Sequence, residues 1–123
     1  GTMEFGVGHH GEAGTKVEKL KSASEMAQEM AETILNDFDF EEGKEVAVML
    51  SGLGATPVME LYVLYDEVEK VLAKAGHKVW KTYIGNYVTS LDMNGASLTI
   101  VDLDDEIKEL LSEPAVPIGM KNY

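Results

Sequence analysis

Apolar positions along the chain change period several times, and each change marks an element. Met3, Phe5 and Val7 alternate ahead of a glycine-rich stretch, which predicts a short strand over about 3–8 running into a loop. From Lys16 the spacing becomes three and four: Val17, Leu20, Ala23, Met26/Ala27, Met30/Ala31 and Ile34/Leu35 recur with charges between them. That pattern predicts an amphipathic helix of about twenty residues, with Thr15 as N-cap and Glu18 completing a capping box. Asp37–Glu42 and Gly43 make the following turn, and Glu45–Ser51 is an apolar run of strand length. Thr56 as N-cap, Pro57 at the first helical position and Gly76 beyond the end bracket a second helix over Val58–Ala75. Lys78–Ile84 alternates as a half-buried strand does, Gly85–Gly95 connects, and Ala96–Leu103 is another strand. Asp104 then caps a short helix to about Ser112, and Pro114 and Pro117 end regular structure.

The resulting order is β-α-β-α-β-β-α. Both long helices lie between strands, so an α/β fold with helices packed on a mixed or largely parallel sheet is favoured. At 123 residues and 45% hydrophobic, with no internal repeat, the chain reads as one domain over 1–123. Its abrupt start on a strand suits a piece of a longer protein.

Charge narrows the partners. Twenty-two acidic against ten basic residues give a formal net charge of -12, which repels phosphate backbones and anionic lipid. Nucleic acid and membrane are therefore not expected as partners. No apolar run approaches the roughly 20 residues that cross a bilayer, and no leader pattern opens the chain, so a soluble, cytoplasmic protein is expected. The absence of cysteine excludes disulfides, thiolate nucleophiles and cysteine metal sites.

Three segments could carry chemistry. Gly8, Gly11 and Gly14 strip side chains from around His9, His10 and Glu12, so a small molecule could approach the imidazoles. Imidazole serves as nucleophile, base or metal ligand near neutral pH. By spacing alone, two surface histidines in a flexible loop is the simpler reading. A zinc site is weaker still, since His77 is the only other histidine. The loop Ser51–Pro57 joins a strand to a capped helix, where backbone N–H groups can hold an anion. It lacks both the Lys-Ser/Thr ending of a Walker loop and a GxGxxG pattern, and a tight strand-to-helix turn is the simpler reading. Gly85–Gly95 gathers Asn, Tyr, Thr, Ser and Asp, and either packs through internal hydrogen bonds or lines a site. Asp102, Asp104 and Asp105 suggest a cation, but helix capping explains Asp104 and Asp105 better. Met59, Tyr62 and Tyr65 are most simply core and interface.

Taken together and in order, these stretches resemble a known family. Phe5-Gly6-Val7-Gly8-His9-His10-Gly11-Glu12-Ala13-Gly14 is similar to the G-[MV]-G-I-H-G-E-P-G of the substrate-binding (K) subunit of dihydroxyacetone kinases. Leu53-Gly54-Ala55-Thr56-Pro57 with Glu60-Leu61-Tyr62 resembles its L-G-x-T-P-x-x-E-L-Y. Tyr83-Ile84-Gly85-Asn86-Tyr87 and Thr89-Ser90-Leu91-Asp92-Met93 with Gly95 resemble its Y-x-G-x-Y-x-T-S-L-D-M-x-G. Leu103-Asp104-Asp105-Glu106 and Pro114 also fit.

The resemblance implies a two-layer α/β domain with a mixed sheet and helices mainly on one face, equivalent to the C-terminal subdomain of that subunit. It implies that His10 holds dihydroxyacetone covalently as a hemiaminal, with Gly8, Gly11 and Glu12 forming the loop around it. It also implies a homodimer, an N-terminal half that completes the pocket, and a nucleotide-binding L subunit or domain. ADP/ATP and Mg²⁺ would sit on that partner, or a phosphotransferase-system protein would donate phosphate; no cofactor is expected in this chain, and alone it should be inactive. A non-catalytic sensor or co-activator paralogue is the alternative. Two departures stand out: His9 occupies a normally apolar position, and Ala13 replaces the proline.

Overall fold

The computed structural model describes all 123 residues. Eight elements follow one another: β1 (Thr2–Phe5), β2 (Lys16–Lys19), α1 (Ala23–Asp37), β3 (Glu45–Gly52), α2 (Val58–Lys74), β4 (Lys78–Gly85), β5 (Ala96–Asp102) and α3 (Asp105–Ser112). The principal sheet has the order β4-β3-β5. β3 and β4 are parallel, joined by the α2 crossover, while β5 returns antiparallel to β3, making the sheet mixed. Pairing of β3 with β4 shifts between Val46 and Ala47, which face Val79 and Lys81, so Trp80 is the extra residue of a bulge.

The central strand explains why Glu45–Ser51 reads as a continuous apolar run: both of its faces are covered. Val46, Val48 and Leu50 join Leu61, Leu64, Val68 and Leu72 of α2 and Ala27 of α1 in the core. Ala47, Met49 and Ser51 alternate to the opposite face. There Tyr83 donates to Asn122 Oδ1 at 2.9 Å and Lys81 Nζ donates to the Leu111 carbonyl at 2.6 Å, holding the end of α3 and the C-terminal tail. The α/β class is the one anticipated, with the two long helices on one face.

The first helix is shorter than its pattern suggested, and an extra strand precedes it. Residues 16–19 form β2, antiparallel to β1 in the register Phe5↔Lys16 to Thr2↔Lys19. Thr15 is not an N-cap: its N–H and hydroxyl both donate to the Phe5 carbonyl, at 2.7 and 3.2 Å. The capping box lies seven residues later, at Ser22. Ser22 accepts from the Glu25 N–H at 3.3 Å, and the Glu25 carboxylate accepts from the Ser22 N–H at 2.9 Å. Val17 and Leu20, which had suggested the start of an apolar helical face, are exposed. Cross-strand pairing therefore overrides local periodicity, and the full order is β-β-α-β-α-β-β-α.

The hairpin is tied to α1 by charge. Glu29 bonds Lys21 at 2.5 Å and also Lys16, and Glu18 lies 2.9 Å from Lys21. These lysines, Lys16 first, hold the Glu29 carboxyl down at about 2. A depressed folded value means the contribution is complete above the ordinary 4.5 and fades as pH falls toward 2. Hydrogen exchange should thus show the β1–β2 hairpin losing protection between about pH 4.5 and 2. Glu29→Gln should remove that step, and an identical acid profile in the variant would assign the loss to other carboxylates.

Candidate functional site

The glycine loop is the turn of the β1–β2 hairpin. Gly8 N–H donates to the Glu12 carbonyl at 3.0 Å and Gly11 N–H to the Gly8 carbonyl at 3.2 Å, which folds 8–12 into a tight turn. Gly11 supplies the positive φ, +86°, that the turn requires. Gly8 is needed for a different reason: a Cβ there would sit 2.1 Å from Glu12 Oε2 and 2.7 Å from Glu12 Cβ. The missing side chain lets the Glu12 carboxylate fold back over the loop. It accepts the His10 backbone N–H at 3.1 Å, and its other oxygen lies 3.8 Å from His10 Nδ1. That separation is within ion-pair reach but longer than a hydrogen bond. The imidazole itself stands in solvent, 91% exposed.

So the loop brings together Gly8, His10, Gly11 and Glu12, and every hydrogen bond from residues 6–15 stays inside the hairpin. His77 is elsewhere: it is buried after α2, edge-on to Phe40 at 5.6 Å. Gly8→Ala should push Glu12 away, moving the His10 amide resonance while amides 2–5 and 16–19 stay in place. An unmoved His10 amide would show that Glu12 does not hold the loop.

The other two segments meet each other. Leu53–Pro57 follows β3 and Asn86–Gly95 follows β4, so both loops leave the carboxyl ends of adjacent parallel strands, the usual position for ligands in such sheets. The buried Ser51 hydroxyl accepts from the Tyr87 and Val88 N–H groups at 2.9 and 3.1 Å. Leu53 N–H donates to Gly95, Ala55 N–H donates to Met93, and Ser90 Oγ donates to the Leu53 carbonyl at 2.6 Å. Thr56 spends its hydroxyl on the Gly95 carbonyl at 2.7 Å, not on capping; the N-cap is Pro57, expected as the first helical residue but extended at ψ 144°, so α2 starts at Val58 with no side-chain cap. Of the Asn, Thr and Ser side chains of 85–95, Ser90 and Asn94 hold the two loops together, at Leu53 and Thr56, while Thr89 bonds only the carbonyl of its neighbour Ser90. Ser51 was readable only as the end of an apolar strand. The signal that could have found its role is its hydroxyl, which must find partners once buried.

The acidic trio separates. Asp104 caps α3, accepting from the Ile107 N–H at 2.7 Å, and Asp102 pairs with Lys44 at 3.2 Å. No group of three or more His, Cys, Asp or Glu side chains converges to hold a metal. Of the α2 aromatics, Tyr65 is anchored to Thr82 at 2.8 Å, whereas Met59 and Tyr62 are exposed.

A mixed α/β domain with an exposed histidine on a glycine hairpin and two stapled loops is what the geometry defines. The Dak1 domain model matches residues 1–118, and the chain belongs to that family. It is 40% identical over 114 residues to the dihydroxyacetone-binding subunit of PTS-dependent dihydroxyacetone kinase 2 from Listeria innocua, covering 93% of this chain and 34% of that one. It is 33% identical over 136 residues to the dihydroxyacetone-binding subunit of the PEP-dependent kinase of Escherichia coli, covering 91% and 38%. The chain therefore spans about a third of the length of these two subunits. Among solved structures, the dihydroxyacetone kinase operon co-activator Dha-DhaQ aligns with a TM-score of 0.85 at 32% identity over 92% of this chain and 36% of that one. The dihydroxyacetone kinase of C. freundii, solved with AMP-PNP and Mg²⁺, aligns with a TM-score of 0.78 at 29% identity over 92% and 20%.

Proposed function

We propose that this chain supplies the carbonyl-capturing wall of a dihydroxyacetone-binding subunit in a dihydroxyacetone kinase, and that His10 is the capturing residue. The observation carrying this reading is the hairpin turn, in which Gly8 makes room for Glu12 to hold the His10 backbone and face its Nδ1. With Nδ1 turned toward Glu12, Nε2 is the nitrogen left to react. Its lone pair adds to the ketone carbon as the carbonyl π pair moves to oxygen. The oxygen gains one proton and Nδ1 releases one, for which Glu12 is the nearest acceptor. The product is a hemiaminal with a neutral, substituted ring. Gly11, with nothing within 4 Å of where a Cβ would be, leaves the approach clear of side chains.

Addition turns a planar carbon tetrahedral and fixes the direction of the terminal hydroxyl, so the chain contributes by positioning. The nucleotide and Mg²⁺ belong on a partner L subunit or domain, or phosphate comes from a phosphotransferase-system protein. The pocket's second wall is assigned to the N-terminal half of the K subunit, with residues 1–123 forming its C-terminal subdomain. A homodimer in the cytoplasm completes the reading; no helix here is long and apolar enough to cross a membrane. A second reading, a dihydroxyacetone-sensing co-activator, is favoured by the higher TM-score to Dha-DhaQ, 0.85 against 0.78.

Capture through a carbonyl predicts discrimination. Equilibrium dialysis of the chain with the complementary half of the subunit should retain dihydroxyacetone and not glycerol. Equal retention of both would overturn capture at the carbonyl in kinase and co-activator alike. Phosphorylation of retained dihydroxyacetone on adding the nucleotide-binding partner separates the kinase from the co-activator.

A further inference from the structure

The principal sheet ends in two edges of opposite character. β4 carries Lys78 and Lys81, and a bulge at Trp80 breaks its regularity; both are devices that blunt an edge strand. β5 has neither. Ala96–Asp102 pairs without a bulge, contains no lysine or proline, and sets Thr99, Ile100 and Val101 together as a β-branched run. Its only strand partner is β3.

The phase of the ladder fixes what the open side offers. Leu53 N–H donates to the Gly95 carbonyl at 3.1 Å, one step beyond the Gly52–Ala96 pair. By alternation Ser97, Thr99 and Val101 turn their main-chain groups toward β3, and Leu98 and Ile100 turn theirs outward, where no other strand or loop bonds them. The strand is also complementary to itself. About a two-fold axis at Thr99, its middle residue, antiparallel pairing sets Leu98 against Ile100 of the second copy, and each such pair exchanges both N–H···O bonds. Asp102, the one charge in the strand, then faces Ala96, whereas parallel pairing would set Asp102 against Asp102. Beside the edge, Ile34, Phe38 and Ile100 form an apolar shoulder on the helix side, which the same two-fold brings against its counterpart.

We propose that the β5 edge pairs antiparallel with β5 of a second copy of this chain, joining the two principal sheets into one. This would be the surface of the homodimer put forward above, and it rests on that reading for the existence of a dimer, not for the role of His10. Because the chain has no cysteine, a single introduced thiol reports the register. Thr99 is exposed and would face Thr99 of the second copy at a Cα separation of about 4.5 Å, within disulfide reach. Thr99→Cys should therefore cross-link into a dimer on mild oxidation, and Val101→Cys, which would face Ser97, should not. In sedimentation, Thr99→Lys should weaken the dimer ~fivefold or more by opposing like charges, and Thr99→Val should keep it. A dimer that cross-links equally at both positions would overturn pairing at the β5 edge and leave a homodimer; a chain that sediments as a monomer at millimolar concentration would overturn both. Loss of the Thr99→Cys cross-link on adding the complementary half of the subunit would assign the edge to a strand of that half, and the proposal would fail. None of these results bears on ketone capture.

Discussion

Gly54→Ala is expected to destabilise the chain by roughly 2–4 kcal/mol, the sum of a backbone and a steric penalty. Gly54 has φ +112°, a conformation that L side chains rarely adopt. A Cβ there would lie 2.5 Å from the Ser90 carbonyl oxygen and 3.0 Å from the Leu91 carbonyl carbon. Both obstacles are backbone, so no rotamer change relieves them. The loops after β3 and β4 would have to separate, breaking the Gly54–Met93 bridge and the Ala55-to-Met93 hydrogen bond. Urea unfolding followed by circular dichroism checks this, with Gly11→Ala as comparison. Gly11 also has positive φ, but nothing within 4 Å of its added Cβ, so only about 1 kcal/mol of backbone strain is expected there. Equal small losses in the two variants would show that the loop pair has slack.

Leu61→Ala should cost about 3–4 kcal/mol. Leu61 is fully buried on α2 in the cluster with Val46, Val48 and Leu50, and its Cδ1 would be only 3.1 Å from a Cβ added at Gly52. Leucine and glycine thus fit each other where the strand turns into the loop. Truncation leaves a void between a helix and a central strand that are both fixed by other contacts, so collapse is limited. Met59→Ala, two residues away but 78% exposed, should stay within about 0.5 kcal/mol. A loss below about 1 kcal/mol for Leu61→Ala in the same urea titration would contradict this picture of the core.

What the sequence revealed follows from how local each signal is. The strand Glu45–Gly52, the α2 crossover and the Asp104 cap were legible because burial on both faces, a 3.6-residue period and a short side-chain cap each leave a nearby mark. β2 was not legible, because Val17 and Leu20 mimic a helical face and only pairing with β1 across the glycine turn shows otherwise. Thr56 had a fitting cap signature, yet a carbonyl 39 residues away takes its hydroxyl. The glycines of the hairpin turn could be read as permissive, but not that Gly8 is emptied specifically for the Glu12 side chain. Ser51 shows the same limit: its partners at Tyr87 and Val88 are distant in sequence and near only through the parallel pairing of β3 and β4.

Whether His10 captures a ketone is decided by ¹³C NMR of carbonyl-labelled dihydroxyacetone, in the chain combined with the complementary half of the subunit. The ketone resonance should move into the tetrahedral-carbon region with the wild-type chain and with His9→Ala, and stay unshifted with His10→Ala. An adduct that survives His10→Ala, or no adduct at all in the reconstituted protein, would contradict capture by His10.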